Sequence, residues 1–162
     1  MINRLPEKDL YYVLIQLNLF FLYFIPIRIN GFLITAAYGK PMGLIIGISG
    51  CIILVLSLLQ LNTNLSPFPS PKKTGSLVQF GLYSYMRHPI YSGIILMGLG
   101  FGFYYHSLWK LLITFALIVF FYFKSRYEER LLIQKFPEYT KYKKNTGRFF
   151  PFYALNKGKS IF

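Results

Sequence analysis

Pro41-Met-Gly-Leu-Ile-Ile-Gly-Ile-Ser-Gly-Cys-Ile-Ile-Leu-Val-Leu-Ser-Leu-Leu-Gln-Leu61 is a run of 21 residues without a single charge, the length a helix needs to cross the hydrocarbon of a bilayer. In lipid the backbone must satisfy its own hydrogen bonds, so such a run predicts a spanning helix. Gly43 and Gly47, with Gly50 beyond them, put small residues on one face, where a second helix can approach closely. The rest of the composition agrees. A chain of 162 residues that is 54% hydrophobic and 14% charged reads as one domain of an integral membrane protein. The formal charge of +13 raises nucleic acid as a partner, but the basic residues sit between and after apolar runs and are not interleaved along a polar chain. That pattern speaks for a membrane surface and against nucleic acid. Cys51 is the sole cysteine, which leaves no intrachain disulfide and no thiolate metal cluster. Two distant histidines add no metal site.

Outward from this run lie three more apolar stretches. Leu10 to Ile27 is interrupted only by Gln16 and Asn18; with no small-residue cleavage site it reads as a retained span, not a removed signal peptide. Its two amides are expected to hydrogen-bond between helices, with a place in a substrate tunnel as the alternative. Ile90 to Phe123 is broken around His106-Ser107 and Lys110, and divides into Ile90–Tyr105 and Leu108–Phe123. Each half gives about 24 Å of helix, short for a core of about 30 Å, so flanking aromatics or neighbouring spans must make up the difference. Gly98 and Gly102 repeat the small-residue spacing and are expected to face the second span.

The predicted fold is therefore all-α: a polytopic membrane protein of about four transmembrane helices, near 10–27, 41–61, 90–105 and 108–123. Four spans put both termini on one side, and fifteen of the eighteen Lys and Arg residues fall there. The positive-inside rule makes that side cytoplasmic. It carries the Pro-rich loop Ser66-Pro-Phe-Pro-Ser-Pro71 and two polar segments, 65–93 and 124–151, which share one face. There Lys141, Lys143, Lys144 and Arg148 are expected to meet anionic lipid heads, and Tyr139, Tyr142 and Phe149-Phe-Pro-Phe152 to serve as interfacial rings.

In the first of these segments, Gly81-Leu-Tyr-Ser-Tyr-Met-Arg-His-Pro-Ile-Tyr-Ser-Gly93 gathers the polar and ring-bearing residues. Pro89 suits the first position of a helix. Arg87 and His88 then stand at the mouth of a helix whose first N–H groups lack carbonyl partners and attract an anion. Glu128 or Glu129 can accept hydrogen bonds from sugar hydroxyls, and Tyr83, Tyr85 and Tyr91 can flank a base. This is what a charged, amphiphilic cofactor needs. The competing reading leaves the two carboxylates simply ion-paired with the surrounding cations.

Gly81-x-Tyr83, then Arg87-His-Pro-x-Tyr91-x-Gly93, then Arg126-x-Glu128-Glu129-x-x-Leu132 and Phe136-Pro-Glu-Tyr139-x-x-Tyr142 resemble the isoprenylcysteine carboxyl methyltransferase and phospholipid methyltransferase superfamily. Ser66-Pro-Phe-Pro-x-Pro71 is similar to its bacterial members. The resemblance implies S-adenosylmethionine as methyl donor, with Ser76, Leu77, Val78, Tyr83, His88, Pro89, Ile90, Tyr91, Glu128 and Glu129 as the cofactor residues. It also implies a basic residue that orients the acceptor, which falls on Lys124 or Arg126. The acceptor is expected to be a lipid-like molecule arriving from the bilayer, such as the carboxylate of an isoprenylcysteine-like or other hydrophobic acid. A phospholipid amine is the alternative; it must first lose a proton, for which His88 is the available base. An NADPH-dependent membrane reductase resembles the same stretch, but those enzymes usually carry a carboxylate after its last glycine, where this chain has Ile94. A non-catalytic protein of the same fold is the remaining alternative.

Overall fold

The computed structural model describes residues 6–27, 29, 36–72 and 74–151. Phe152 and, of the basic residues counted above, Arg4, Arg28, Lys73, Lys157 and Lys159 lie outside the described residues. Among those described, the protein is helical, and the extended backbone pairs only at an isolated bridge between Met86 and Gly147. The helices are α1 (Glu7–Phe24), α2 (Ala36–Leu61), the short α3 (Leu82–Tyr85), α4 (Pro89–Tyr104), α5 (Leu108–Lys135) and α6 (Tyr139–Asn145). A 3₁₀ turn, Asn62–Asn64, closes α2.

Two helices, Tyr38–Leu61 and Leu108–Lys135, are long and apolar enough to cross a membrane, with mean hydropathy of 2.6 and 1.7. The outer face of α2 is exposed and apolar, with Ile45 and Leu59 each 70% accessible, a surface that water would disfavour and lipid would cover. α4 is apolar but shorter, and α1 carries Glu7, Lys8 and Asp9 in its first turn. The last predicted span continues without a break to Lys135, giving one rod of about 42 Å. Its inner turns therefore hold Lys124, Glu128 and Glu129 rigidly.

The helices pack in the order α2, α4, α5, α1. At the α2–α4 contact there is no room for side chains: a Cβ on Gly50 would lie 2.6 Å from the Met97 nitrogen, and one on Gly43 would lie 2.5 Å from the Gly100 carbonyl oxygen. The sequence reading located the α2 half of this contact correctly and the α4 half wrongly. Gly93 and Gly100 face α2, whereas Gly98 and Gly102 face Thr114 and Leu111 of α5. Glycines two positions apart point to opposite sides of a helix, so one small-residue run serves two neighbours. The core between α1, α4 and α5 is built from Tyr23, Ile95, Ile113, Leu117, Phe120 and Phe121. On the far side, Trp109 and Lys110 donate to the carbonyls of Leu22 and Tyr23, at 2.9 and 3.1 Å, and so cap the end of α1.

Candidate active site

The helix mouth forms as its sequence predicts, with Pro89 as the first residue of α4 and His88 as its cap. What precedes it is held by glycine. Gly81 has φ of +60° and lies against the Gln60 side chain, whose Oε1 accepts from the Leu82 N–H at 2.8 Å. A side chain there would be strained and would collide with Gln60.

The anion expected beside Arg87 and His88 is supplied by the protein itself. Glu129, fully buried, receives Arg87 Nε at 2.9 Å and His88 Nε2 at 3.3 Å on Oε1, and Lys143 Nζ at 3.0 Å and Arg148 Nη2 at 3.2 Å on Oε2. Arg87 Nη1 also donates to the carbonyls of Lys143 and Thr146. The backbone completes the seam: Arg87 and His88 donate to the carbonyls of Gly147 and Arg148 at 2.9 and 3.0 Å, and Ser92 Oγ to that of Phe149 at 2.6 Å. The segment 139–149 is thereby strapped across the Arg-His-Pro stretch. Tyr139 and Tyr142 are 1% and 8% exposed, so they are packed inside the strap and are not interfacial rings. Lys143 and Arg148 answer Glu129, which leaves Lys141 and Lys144 as the exposed cations of α6.

On the neighbouring face of α5 lies a cavity of about 400 Å³. Ser76, Leu77, Val78, Tyr83, His88, Ile90, Tyr91, Lys124 and Glu128 all line it. Pro89, Glu129 and Arg126 do not belong to its wall: Pro89 and Glu129 are buried behind it, and Arg126 is exposed with its guanidinium 5.8 Å from the Tyr122 ring. Tyr85 is likewise outside, 53% exposed. The two candidates for the acceptor-orienting cation are thus separated by geometry. Lys124 is 2% exposed and donates to Gln16 Oε1 at 2.6 Å and to the Pro67 carbonyl at 3.4 Å, with its ammonium 5.5 Å from the Tyr91 ring.

Glu128 sits one helical turn beyond Lys124 on the same face. Tyr91 donates to its Oε1, and His88 Nδ1 stands 3.5 Å from its Oε2. The two nitrogens of His88 therefore face two carboxylates. Only a ring carrying both protons can donate to both, and a ring nitrogen that accepted a substrate proton would first have to leave one of them. The ring is also stacked on Tyr91 at 5.5 Å. This geometry makes His88 a poor general base and a good brace for Glu128.

The opposite wall is the loop after α2. Asn64 Oδ1 accepts from the Ser76 N–H at 2.9 Å, and Asn64 Nδ2 lies 3.4 Å from Ser76 Oγ, which clasps the ends of the loop. Asp9, buried in the first turn of α1, accepts from the Ser70 N–H at 3.1 Å. Sequence reasoning missed these supports. Asn64 and Gln60 carry no motif, and Asp9 is noticeable only as an acid beside an apolar run. Gln16 accepts a hydrogen bond from Lys124 of another helix, as expected, and lines the cavity.

A family model described as phospholipid methyltransferase matches residues 38–139. The chain belongs to the phospholipid methyltransferase family. The match runs from α2 to the first residue of α6 and so contains every cavity residue named above except Gln16 and Tyr142. The family implies methyltransferase chemistry and, with the two apolar helices, a membrane protein. The chain is also 36% identical over 92 residues to the cobalt-zinc-cadmium resistance protein CzcN of Cupriavidus metallidurans, an alignment covering 56% of this chain and 43% of that protein. The alignment thus spans less than half of that relative.

Proposed function

We propose that this phospholipid methyltransferase family member is a four-span, single-domain membrane enzyme that uses S-adenosylmethionine to methylate a hydrophobic, anionic acceptor, with its cofactor site and both termini on the cytoplasmic side. One observation carries the reading: a single cavity joins Glu128 and the Ser76–Val78 wall to Lys124 and Gln16. A nucleoside cofactor fits the first half. Glu128 keeps lone pairs for sugar hydroxyls beyond those taken by Tyr91 and His88, the rings of Tyr83 and Tyr142 are flat, and 400 Å³ lies within the range of small-molecule sites. When bound, the donor supplies an electrophilic methyl group on a sulfonium.

The chain's own residues do the rest. Lys124 turns a buried ammonium toward the acceptor half, where it pairs with a carboxylate and disfavours a cationic amine. The Gln16 carbonyl fixes the direction of that ammonium. Tyr91 and His88 brace Glu128, and the apolar wall excludes water, so that charge loss on methyl transfer takes place between two desolvated, positioned partners. No base is required for a carboxylate acceptor.

Calorimetry in lipid nanodiscs, titrating S-adenosylmethionine and NADPH separately, tests the donor. Binding of the first, weakened in Glu128→Gln, supports the reading; binding of NADPH alone makes the protein a reductase, and binding of neither makes it non-catalytic. Labelled-methyl transfer to hydrophobic acids against phosphatidylethanolamine vesicles then tests the acceptor. Label in the amine headgroup would overturn the role given to Lys124.

A further inference from the structure

We propose that Asp9 is a positioning residue for the methyl acceptor: through the Pro-rich loop it sets the Pro67 carbonyl against Lys124 and so directs the buried ammonium. The inference rests on the acceptor role given to Lys124 above. It concerns a residue of α1, which lies outside the matched segment 38–139.

The loop Ser66-Pro-Phe-Pro-Ser-Pro71 is short of backbone donors, because proline has no N–H. Three of its six residues are proline, which leaves the N–H groups of Ser66, Phe68 and Ser70. That of Phe68 turns back to Ser66 Oγ at 3.2 Å, whereas that of Ser70 crosses to Oδ2 of the fully buried Asp9 at 3.1 Å. A second tie from loop to helix is the bond from Lys124 Nζ to the Pro67 carbonyl. Each proline fixes its own φ, so a shift at Ser70 reaches Pro67 with little slack. Asp9 and Gln16 are seven residues apart on α1, about two turns, and so share a face. The contacts therefore close a circuit. Asp9 holds Ser70, the loop presents Pro67, Pro67 and Gln16 each accept from Lys124, and α1 joins Gln16 back to Asp9. An ammonium has three N–H groups. Two are directed by this circuit, and the third is left for the acceptor.

The test measures methyl transfer to two hydrophobic acids, palmitate and N-acetyl-S-farnesylcysteine, with the full chain in nanodiscs, and S-adenosylhomocysteine affinity by calorimetry. Asp9→Ala is expected to lower kcat/KM for the acid about tenfold, chiefly through KM, by misplacing the ammonium, with S-adenosylhomocysteine bound as tightly as before. Asp9→Asn keeps an acceptor for the Ser70 N–H and is expected to restore most of the loss. In a Lys124→Ala background, Asp9→Ala is expected to cost nothing further, since the group it positions is gone. Full additivity of the two substitutions, unchanged acid kinetics, or an equal loss of S-adenosylhomocysteine affinity would each overturn the proposal and leave Asp9 a structural clasp. Should Asp9→Ala not fold, Ser70→Pro removes the same bond from the loop side and is read against the same outcomes. If the wild-type protein methylates neither acid, the acceptor reading fails and the role of Asp9 with it; methylation that Asp9→Ala leaves untouched defeats the role of Asp9 alone.

Discussion

Glu128 and Glu129 are adjacent, of one residue type and on one helix, yet they serve different parts of the molecule. About 100° of helix rotation separates them. Glu129 turns into the seam between the Arg-His-Pro stretch and the C-terminal strap, where three cations and one imidazole converge on it. Glu128 turns into the cavity, where its hydrogen-bond and ion-pair partners among the described residues are Tyr91 and His88. The first is saturated by the fold, and the second retains capacity for a ligand. The acid pair is thus one carboxylate enclosed by the fold beside one that lines the cavity, and His88 touches both.

The sharpest way to break this comparison is Glu129→Ala. It strands a buried guanidinium and should cost about 3–5 kcal/mol, seen as a large drop in melting temperature in detergent and release of the strap to protease. A well-folded Glu129→Ala protein that has lost only cofactor binding would reverse the two roles. Next comes Lys124→Ala, which should lower kcat/KM by about a hundredfold through misplacement of the acceptor while leaving donor affinity intact; equal loss of donor affinity would move Lys124 to the cofactor half. Glu128→Gln should then weaken donor binding about tenfold or more with the melting temperature nearly unchanged. The smallest effect belongs to Arg126→Ala. With its side chain exposed, it should shift stability by less than about 0.5 kcal/mol and leave turnover as it was. If Arg126→Ala impairs methyl transfer and Lys124→Ala does not, the acceptor lies outside the cavity described.

Much of this was legible in the chain. Uncharged length predicted α2 and Pro89 predicted the start of α4, because each depends on local chemistry: apolar transfer and a missing N–H. The two motifs, far apart in sequence, marked the residues that meet in the cavity. Other features were not legible. Lys124 and Arg126 look alike as letters, and only their rotation on α5 makes one buried and the other exposed. Tyr139 and Tyr142 suit a membrane interface by composition, yet the strap seals them inside.

The sequence by itself determined a helical membrane protein with a methyltransferase-like pair of motifs, since hydrophobic length and helix punctuation act over a few residues. Only the tertiary structure decided which carboxylate is saturated, which cation enters the cavity, and which glycines meet which helix. These depend on angular position around a helix and on partners as much as 108 residues away, as in the bond between Lys124 and Gln16, and neither is written in the residues taken one segment at a time.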